Sequence, residues 1–122
     1  MAFYQYSFEK LEVWKDSKDL VKKVYRLTER FPKTETYGLL SQMRRAAISI
    51  SSNLAEGCGR THQNDQAHFF QIAYSSAIEL LNQVIICFEL NYFSDSDYAE
   101  IRLQIEKVTV KINALRNKRL SR

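Results

Sequence analysis

The stretch Tyr37–Arg60 reads YGLLSQMRRAAISISSNLAEGCGR. Leu40, Met43, Ala47, Ile50 and Leu54 recur at steps of three and four, which puts them on one face of a helix. The opposite face is Gly38, Ser41, Arg45, Ser49, Ser52 and Glu56. A solvated helix face carries Lys and Glu in quantity. This face is small and largely neutral, and the stretch contains no Lys. Small side chains let a second backbone come close. The expectation is a helix covered on both sides, with another subunit against Gly38, Ser41, Arg45, Ser49, Ser52 and Glu56.

On the N-terminal side, a first helix is expected from about Glu9 to about Glu29. Val13, Leu20, Val24, Leu27 and Phe31 form its stripe, flanked by Trp14, Val21 and Tyr25. Pro32 disfavours helix at Phe31 and ends it. The central helix starts near Thr34–Thr36 and stops at Gly57, where Gly57-Cys58-Gly59 offers the positive-φ freedom of a helix C-terminus. A third helix begins around Thr61–Asn64, with Thr61 as a candidate cap, and runs to about Leu90 with Asn91 as the left-handed residue after it. Phe69, Ala73, Ser76, Leu80, Val84 and Cys87 line one side. Ser94-Asp95-Ser96-Asp97 reads as an N-cap cluster for a fourth helix to about Lys118. Its seam is Tyr98, Ile101, Ile105, Val108, Ile112 and Leu115.

Four helices with short connections predict an all-α protein, an up-down-up-down antiparallel four-helix bundle. Residues 1–8 form an N-terminal arm, 9–118 the bundle and 119–122 a basic C-terminal tail. A chain of 122 residues suits one domain, and three Gly and one Pro mean few turns and long elements. No segment reads as a membrane span or a signal peptide, so the expected location is cytoplasmic, without membrane contact. Cys58 and Cys87 fall far apart in an antiparallel hairpin, roughly 35–40 Å by helical rise, and are read as free thiols.

The stretch also carries a resemblance. YGL…Q.RRAA.SI.SN.AEG.GR resembles the signature of the small four-helix-bundle proteins encoded in 23S rRNA intervening sequences, and is similar to the accessory proteins of diversity-generating retroelements. Phe8, Leu11-Glu12-Val13-Trp14, Val24 to Thr28, Phe31-Pro32, Phe69, Ala73, Ser76, Glu79-Leu80 and Tyr92 extend it over nearly the whole chain. Ser51 departs from the pattern, because relatives carry Pro there; a Pro bends a helix, so a straighter second helix is expected. The resemblance implies a homo-oligomeric ring, a pentamer.

Catalytic chemistry finds little support. Ser49, Ser51, Ser52 and Asn53 have no His at suitable spacing, no strand-turn elbow and no Gly-rich oxyanion loop. His62, Asp65 and His68 fall at steps of three and drift apart around a helix, so no metal is expected. No cofactor motif is present, and the chain is read as a non-enzyme.

The charges are more informative. The formal net charge is +4, which permits an acidic or nucleic-acid partner. Lys15, Lys18, Lys22, Arg26, Arg30 and Lys33 form one stripe opposite the apolar face of the first helix, with Glu12, Asp19 and Glu29 within or beside it, read either as a solvated face or as a phosphate track. Lys107, Lys111, Arg116, Lys118, Arg119 and Arg122 close the chain with no acid among them. In an up-down-up-down bundle Lys10, Arg60, Arg116, Lys118, Arg119 and Arg122 share one pole. Arg44 and Arg45 are read either as phosphate ligands or as partners of Glu79 or Glu56, with a buried ion pair to Glu79 preferred. The expected function is a non-catalytic homo-oligomeric scaffold that binds RNA or DNA through basic surfaces. The alternative is a protein–protein interaction module, such as an accessory subunit of a reverse transcriptase.

Overall fold

Apolar side chains at helical spacing collapse into four α-helices in the computed structural model, which describes residues 1–121. They are α1 (Glu12–Thr28), α2 (Leu39–Cys58), α3 (Gln63–Glu89) and α4 (Asp95–Leu120). Each helix packs on the next, and α4 returns to α1; the diagonal pairs stay apart. This is the antiparallel bundle expected from the short connections. The expected stripes meet at its centre: Leu20 and Val24 of α1, Met43, Ile50 and Leu54 of α2, Leu80 and Val84 of α3, and Ile101, Ile105, Val108 and Ile112 of α4 are essentially solvent-free. Each such side chain contributes roughly 1.5–3 kcal/mol by leaving water.

The helix ends differ from expectation in instructive ways. α2 starts later than Thr34–Thr36, because Lys33–Glu35 forms a 3₁₀ turn and Gly38 leaves helical geometry at φ −108, ψ −115. The Glu35 carboxylate then accepts the Leu39 N–H at 3.3 Å and the Tyr92 hydroxyl at 2.9 Å, tying the start of α2 to the loop before α4. Gly57 does not use positive φ; no glycine does. It is a helical residue against α3, where a Cβ would lie 2.6 Å from Phe70 Cε1. This close approach lets Phe70, rather than Phe69, enter the core.

Neither Thr61 nor His62 caps α3 through its side chain; Gln66 Nε2 instead donates to the Arg60 carbonyl at 2.8 Å. At the far end Asn91 adopts φ 64, with Tyr92 N–H bonded to the Cys87 carbonyl and Asn91 N–H to that of Phe88. This is the paired closure of a Schellman motif, permitted because Asn tolerates the left-handed region. Ser94 Oγ caps α4 by accepting the Asp97 N–H at 3.1 Å. α4 continues to Leu120, so Arg119 is helical rather than part of a tail.

α2 runs unbroken through Ser51, whose hydroxyl bonds the Ile48 carbonyl at 3.0 Å. Contrary to the expectation from sequence, α3 is long and apolar enough to cross a bilayer by length and composition, with an 18-residue window of mean hydropathy 1.2. The apolar character belongs to its place in the bundle, between α2 and α4. Cys58 and Cys87 are both free thiols, and Cys87 Sγ lies 3.4 Å from Met43 Sδ. Burial, with the Glu35 charge adding to it, pushes the Cys87 thiol up to about 12. In the arm, Met1, Phe3, Tyr4 and Tyr6 are exposed, whereas Phe8 packs edge-on against Trp14 at 4.9 Å.

Candidate nucleic-acid interface

Two basic surfaces emerge once the ion pairs are assigned. Along α1 two carboxylates, Glu12 and Asp16, turn toward α4, while Asp19 and Glu29 are exposed with no ion pair among the described residues. Asp16 accepts from Lys111 at 2.7 Å and lies 3.3 Å from Lys107; Glu12 also binds Lys111. Burial alone would raise the Asp16 carboxyl, but the hydrogen bonds and charges of Lys111 and Lys107 outweigh it and hold its pKa below the ordinary value. Further along, the buried Lys23 reaches Glu100 at 2.8 Å and Asp97 at 4.0 Å, and Arg30 reaches Asp97 at 3.2 Å. Lys15, Lys18, Lys22 and Arg26 stay on the outer face, exposed and with no ion pair among the described residues. By helical rise they span about 16 Å.

The second surface is the pole formed by the start of α1, the α2–α3 turn and the end of α4. The structure divides the C-terminal basic run. Lys107 and Lys111 face α1 and are neutralised there. Lys118 is exposed at the pole, as is Lys10. Arg116 and Arg119 fold back onto α3. Arg116 Nη2 donates to Asn113 Oδ1 at 2.6 Å and Nη1 to Gln71 Oε1, and the group lies 5.5 Å from the Tyr74 ring centroid. Arg119 Nε donates to Gln66 Oε1 at 2.7 Å, with its guanidinium 5.9 Å from the Phe70 ring. Arg60 lies 4.4 Å over the Phe69 ring and 3.8 Å from Glu56. Arg122 lies outside the described residues.

A groove of about 490 Å³ opens between α3 and α4 at this pole, lined by Asn64, His68, Gln71, Arg116 and Asn117 together with Ala67 and Leu120. Sequence reading misses it, because the amides are spread over two helices and no local spacing marks them. Among the described residues, no group of three or more His, Cys, Asp or Glu side chains is placed to hold a metal ion.

The expected buried ion pair does not form within the chain. Glu79 is exposed, Arg45 is exposed, and neither has an ion-pair partner among the described residues. Arg44 instead turns to α1, donating to Thr28 Oγ1 at 2.9 Å and to the Tyr25 carbonyl at 3.2 Å. Arg45 and Glu79 both lie in solvent rather than in the bundle interior, so neither charge requires a partner.

The small-residue face of α2 divides as well. Ser49 Oγ is 2.8 Å from Ser76 Oγ and also accepts from Asn53 Nδ2 at 3.1 Å, so Ser49 serves the α2–α3 contact inside the chain. Gly38 packs against Glu35 of its own chain. Ser41 is half-buried. Arg45, Ser52 and Glu56 are exposed, joined by Ile48. Ile78 of α3 and Leu103 and Val110 of α4 are also exposed.

The sequence model of the family described as 23S rRNA-intervening sequence protein matches residues 9–114. No curated protein matches the chain. Among solved structures, the chain is similar to a protein with unknown function from the S23 ribosomal protein family of Bacteroides thetaiotaomicron. The two share 16% sequence identity over 84% of this chain and 96% of that one, with a TM-score of 0.76. At that identity the likeness establishes the fold.

Proposed function

The chain belongs to the 23S rRNA-intervening sequence protein family, and from that premise we propose that it is a non-catalytic, homo-oligomeric scaffold that binds RNA or another nucleic acid through its basic surfaces. The observation that carries this reading is the separation of charge on α1. Glu12 and Asp16 are committed to α4 lysines, while Lys15, Lys18, Lys22 and Arg26 remain exposed and unpaired among the described residues. Glu12 and Asp16 are thereby neutralised, so that cations outnumber the exposed acids Asp19 and Glu29 along the outer face and a phosphate backbone meets a net positive stripe. Binding of this kind runs on counterion release, with steep salt dependence and little base readout.

Assembly is part of the same proposal. Arg45, Ile48, Ser52 and Glu56 leave an exposed patch on α2 with one cation, one anion and no Lys, suited to a second copy. A ring, a pentamer as in the families the chain resembles, would repeat the α1 stripe and the basic pole around its axis. Exposed Ile78, Leu103 and Val110 favour a second reading, a protein-interaction module such as an accessory subunit of a reverse transcriptase. Cytoplasmic residence accompanies either reading.

The test is binding of RNA and DNA across a salt series by full-length protein and by a Lys15/Lys18/Lys22/Arg26→Ala variant. The log–log slope is expected to fall by about 0.7–0.9 for each phosphate that the variant no longer neutralises. No binding at low salt would leave the protein-interaction module as the function. Equal slopes would move binding off α1.

A further inference from the structure

The cations of the pole are not arranged like those of α1. Arg60, Arg116 and Arg119 each lie over an aromatic ring of the first half of α3: Phe69, Tyr74 and Phe70 respectively. Two of them are also held at the edge of the guanidinium, Arg116 by Gln71 and Asn113 and Arg119 by Gln66. A guanidinium is planar, and its hydrogen bonds lie in that plane. Each guanidinium thus lies close to a ring, and the edges of Arg116 and Arg119 are taken up by amides. A base laid on such a plane would meet the side turned away from the ring. Arg60 keeps 47% of its side chain exposed, and Arg116 and Arg119 are half-buried. Electrostatic attraction alone needs none of this ordering; a freely moving Lys serves a phosphate equally well.

Beside Arg116 lies the α3–α4 groove. Its volume of about 490 Å³ is within the range of small-ligand clefts, about 300–1,000 Å³. The side-chain amides of Asn64 and Asn117 line it without a hydrogen bond among the described residues. An amide offers a donor and an acceptor together, the complement of a nucleobase edge.

We infer that this pole is a stacking platform for unpaired nucleobases, so that the nucleic acid it takes is single-stranded, with one base laid against Arg116 and its edge toward Asn64 and Asn117. The inference rests on the nucleic-acid reading above and narrows its substrate class. A duplex keeps its base faces inside the stack and offers the platform only its ends. A single strand presents every base, and stacking on aromatic and guanidinium planes tolerates sequence. The exposed Lys118 supplies a neighbouring charge for the backbone.

The experiment uses the full chain with two probes of equal length and charge per strand, a single-stranded RNA carrying an internal 2-aminopurine and the same strand in a duplex. The 2-aminopurine emission of the single strand is expected to change on binding, and that of the duplex to stay constant. Arg116→Lys keeps the charge and removes the plane. It is expected to weaken the single strand by roughly ten-fold, the loss of about one stacked base, and to leave the duplex unaltered. Because Arg116→Lys also gives up the Gln71 and Asn113 hydrogen bonds, Asn117→Leu, at an exposed position, is measured beside it and is expected to weaken the single strand selectively. Duplex bound as tightly as single strand, with silent 2-aminopurine, overturns the platform and leaves the electrostatic reading standing. Binding of neither probe overturns both.

Discussion

Arg44 of α2 donates from Nε to Thr28 Oγ1 of α1 at 2.9 Å. Thr28 is fully buried and donates its own hydrogen bond to the Val24 carbonyl at 2.7 Å. Nη2 of the same guanidinium reaches the Tyr25 carbonyl at 3.2 Å, and the group lies 4.4 Å over the Tyr25 ring. A cation thus sits on the last turn of α1, where the helix dipole is negative, on a Tyr25 carbonyl that also accepts the Glu29 N–H at 3.2 Å. Hydrogen bonds to a charged group contribute about 1.5–3 kcal/mol, and Arg44→Ala is expected to destabilise by that amount in urea unfolding at fixed protein concentration. Glu79→Ala is expected to stay within about 0.5 kcal/mol. The reverse ranking would restore an interhelical ion pair as the stabilising contact.

Gly57 fits its place through what it lacks. In an open helix Gly→Ala stabilises by roughly 0.5–1 kcal/mol. Here the new Cβ would meet Phe70 Cε1 at 2.6 Å and Phe69 Cβ at 3.1 Å, and the Phe70 ring is enclosed by the core. Overpacking costs about 1–3 kcal/mol, so Gly57→Ala is expected to lower stability on balance. In a Phe70→Leu background the same change should cost less, a coupling that a double-mutant cycle measures. A stabilised Gly57→Ala protein would show that the ring yields freely.

Two serines on one helix should respond differently to Lys. Ser49 is bonded to Ser76 inside the bundle, so Ser49→Lys forces a charge into the α2–α3 seam and is expected to lower the melting temperature. Ser52 is exposed. Ser52→Lys is expected to leave the fold intact and, if this patch meets a second copy, to give smaller species in light scattering. An unaltered oligomer with Ser52→Lys would move the subunit contact elsewhere.

Asp16 predicts an acid-side stability change. Its folded pKa is lowered, because Lys111 and Lys107 outweigh the effect of burial. The stabilisation is therefore complete above the unfolded value, about 3.9, and is lost as pH falls through the folded one. The gap in melting temperature between wild type and Asp16→Asn should be full at neutral pH and close below about pH 4. Lys111 has the opposite sign. Its hydrogen bonds to Asp16 and then Glu12 raise its pKa, so its contribution is present below the ordinary Lys range for as long as those carboxylates stay ionised, and fades as pH rises through the raised value. A gap that stays constant into acid would remove Asp16 from the α1–α4 contact.

The four helices and most of the core are legible in the sequence, because helical periodicity is a local property. Leu40 to Leu54 and Ile101 to Ile112 declare which side is apolar before any partner is known. So do the turn residues Asn91 and Ser94, whose backbone roles depend on their own chemistry. What neighbours decide is hidden. Whether Arg44 meets Glu79 or Thr28 depends on which neighbour, α3 or α1, its sector of α2 faces. Phe69 and Phe70 are adjacent, and only the approach allowed by Gly57 selects Phe70 for the core. The lysines of α4 look alike in one dimension; Lys107 and Lys111 are neutralised by α1 while Lys118 is exposed, because a helix turns about 100° per residue and only one sector faces its neighbour. The sequence by itself determined the helices and their apolar faces; the tertiary structure decided which charges and amides meet, and so where α1 and the pole are left open to a ligand.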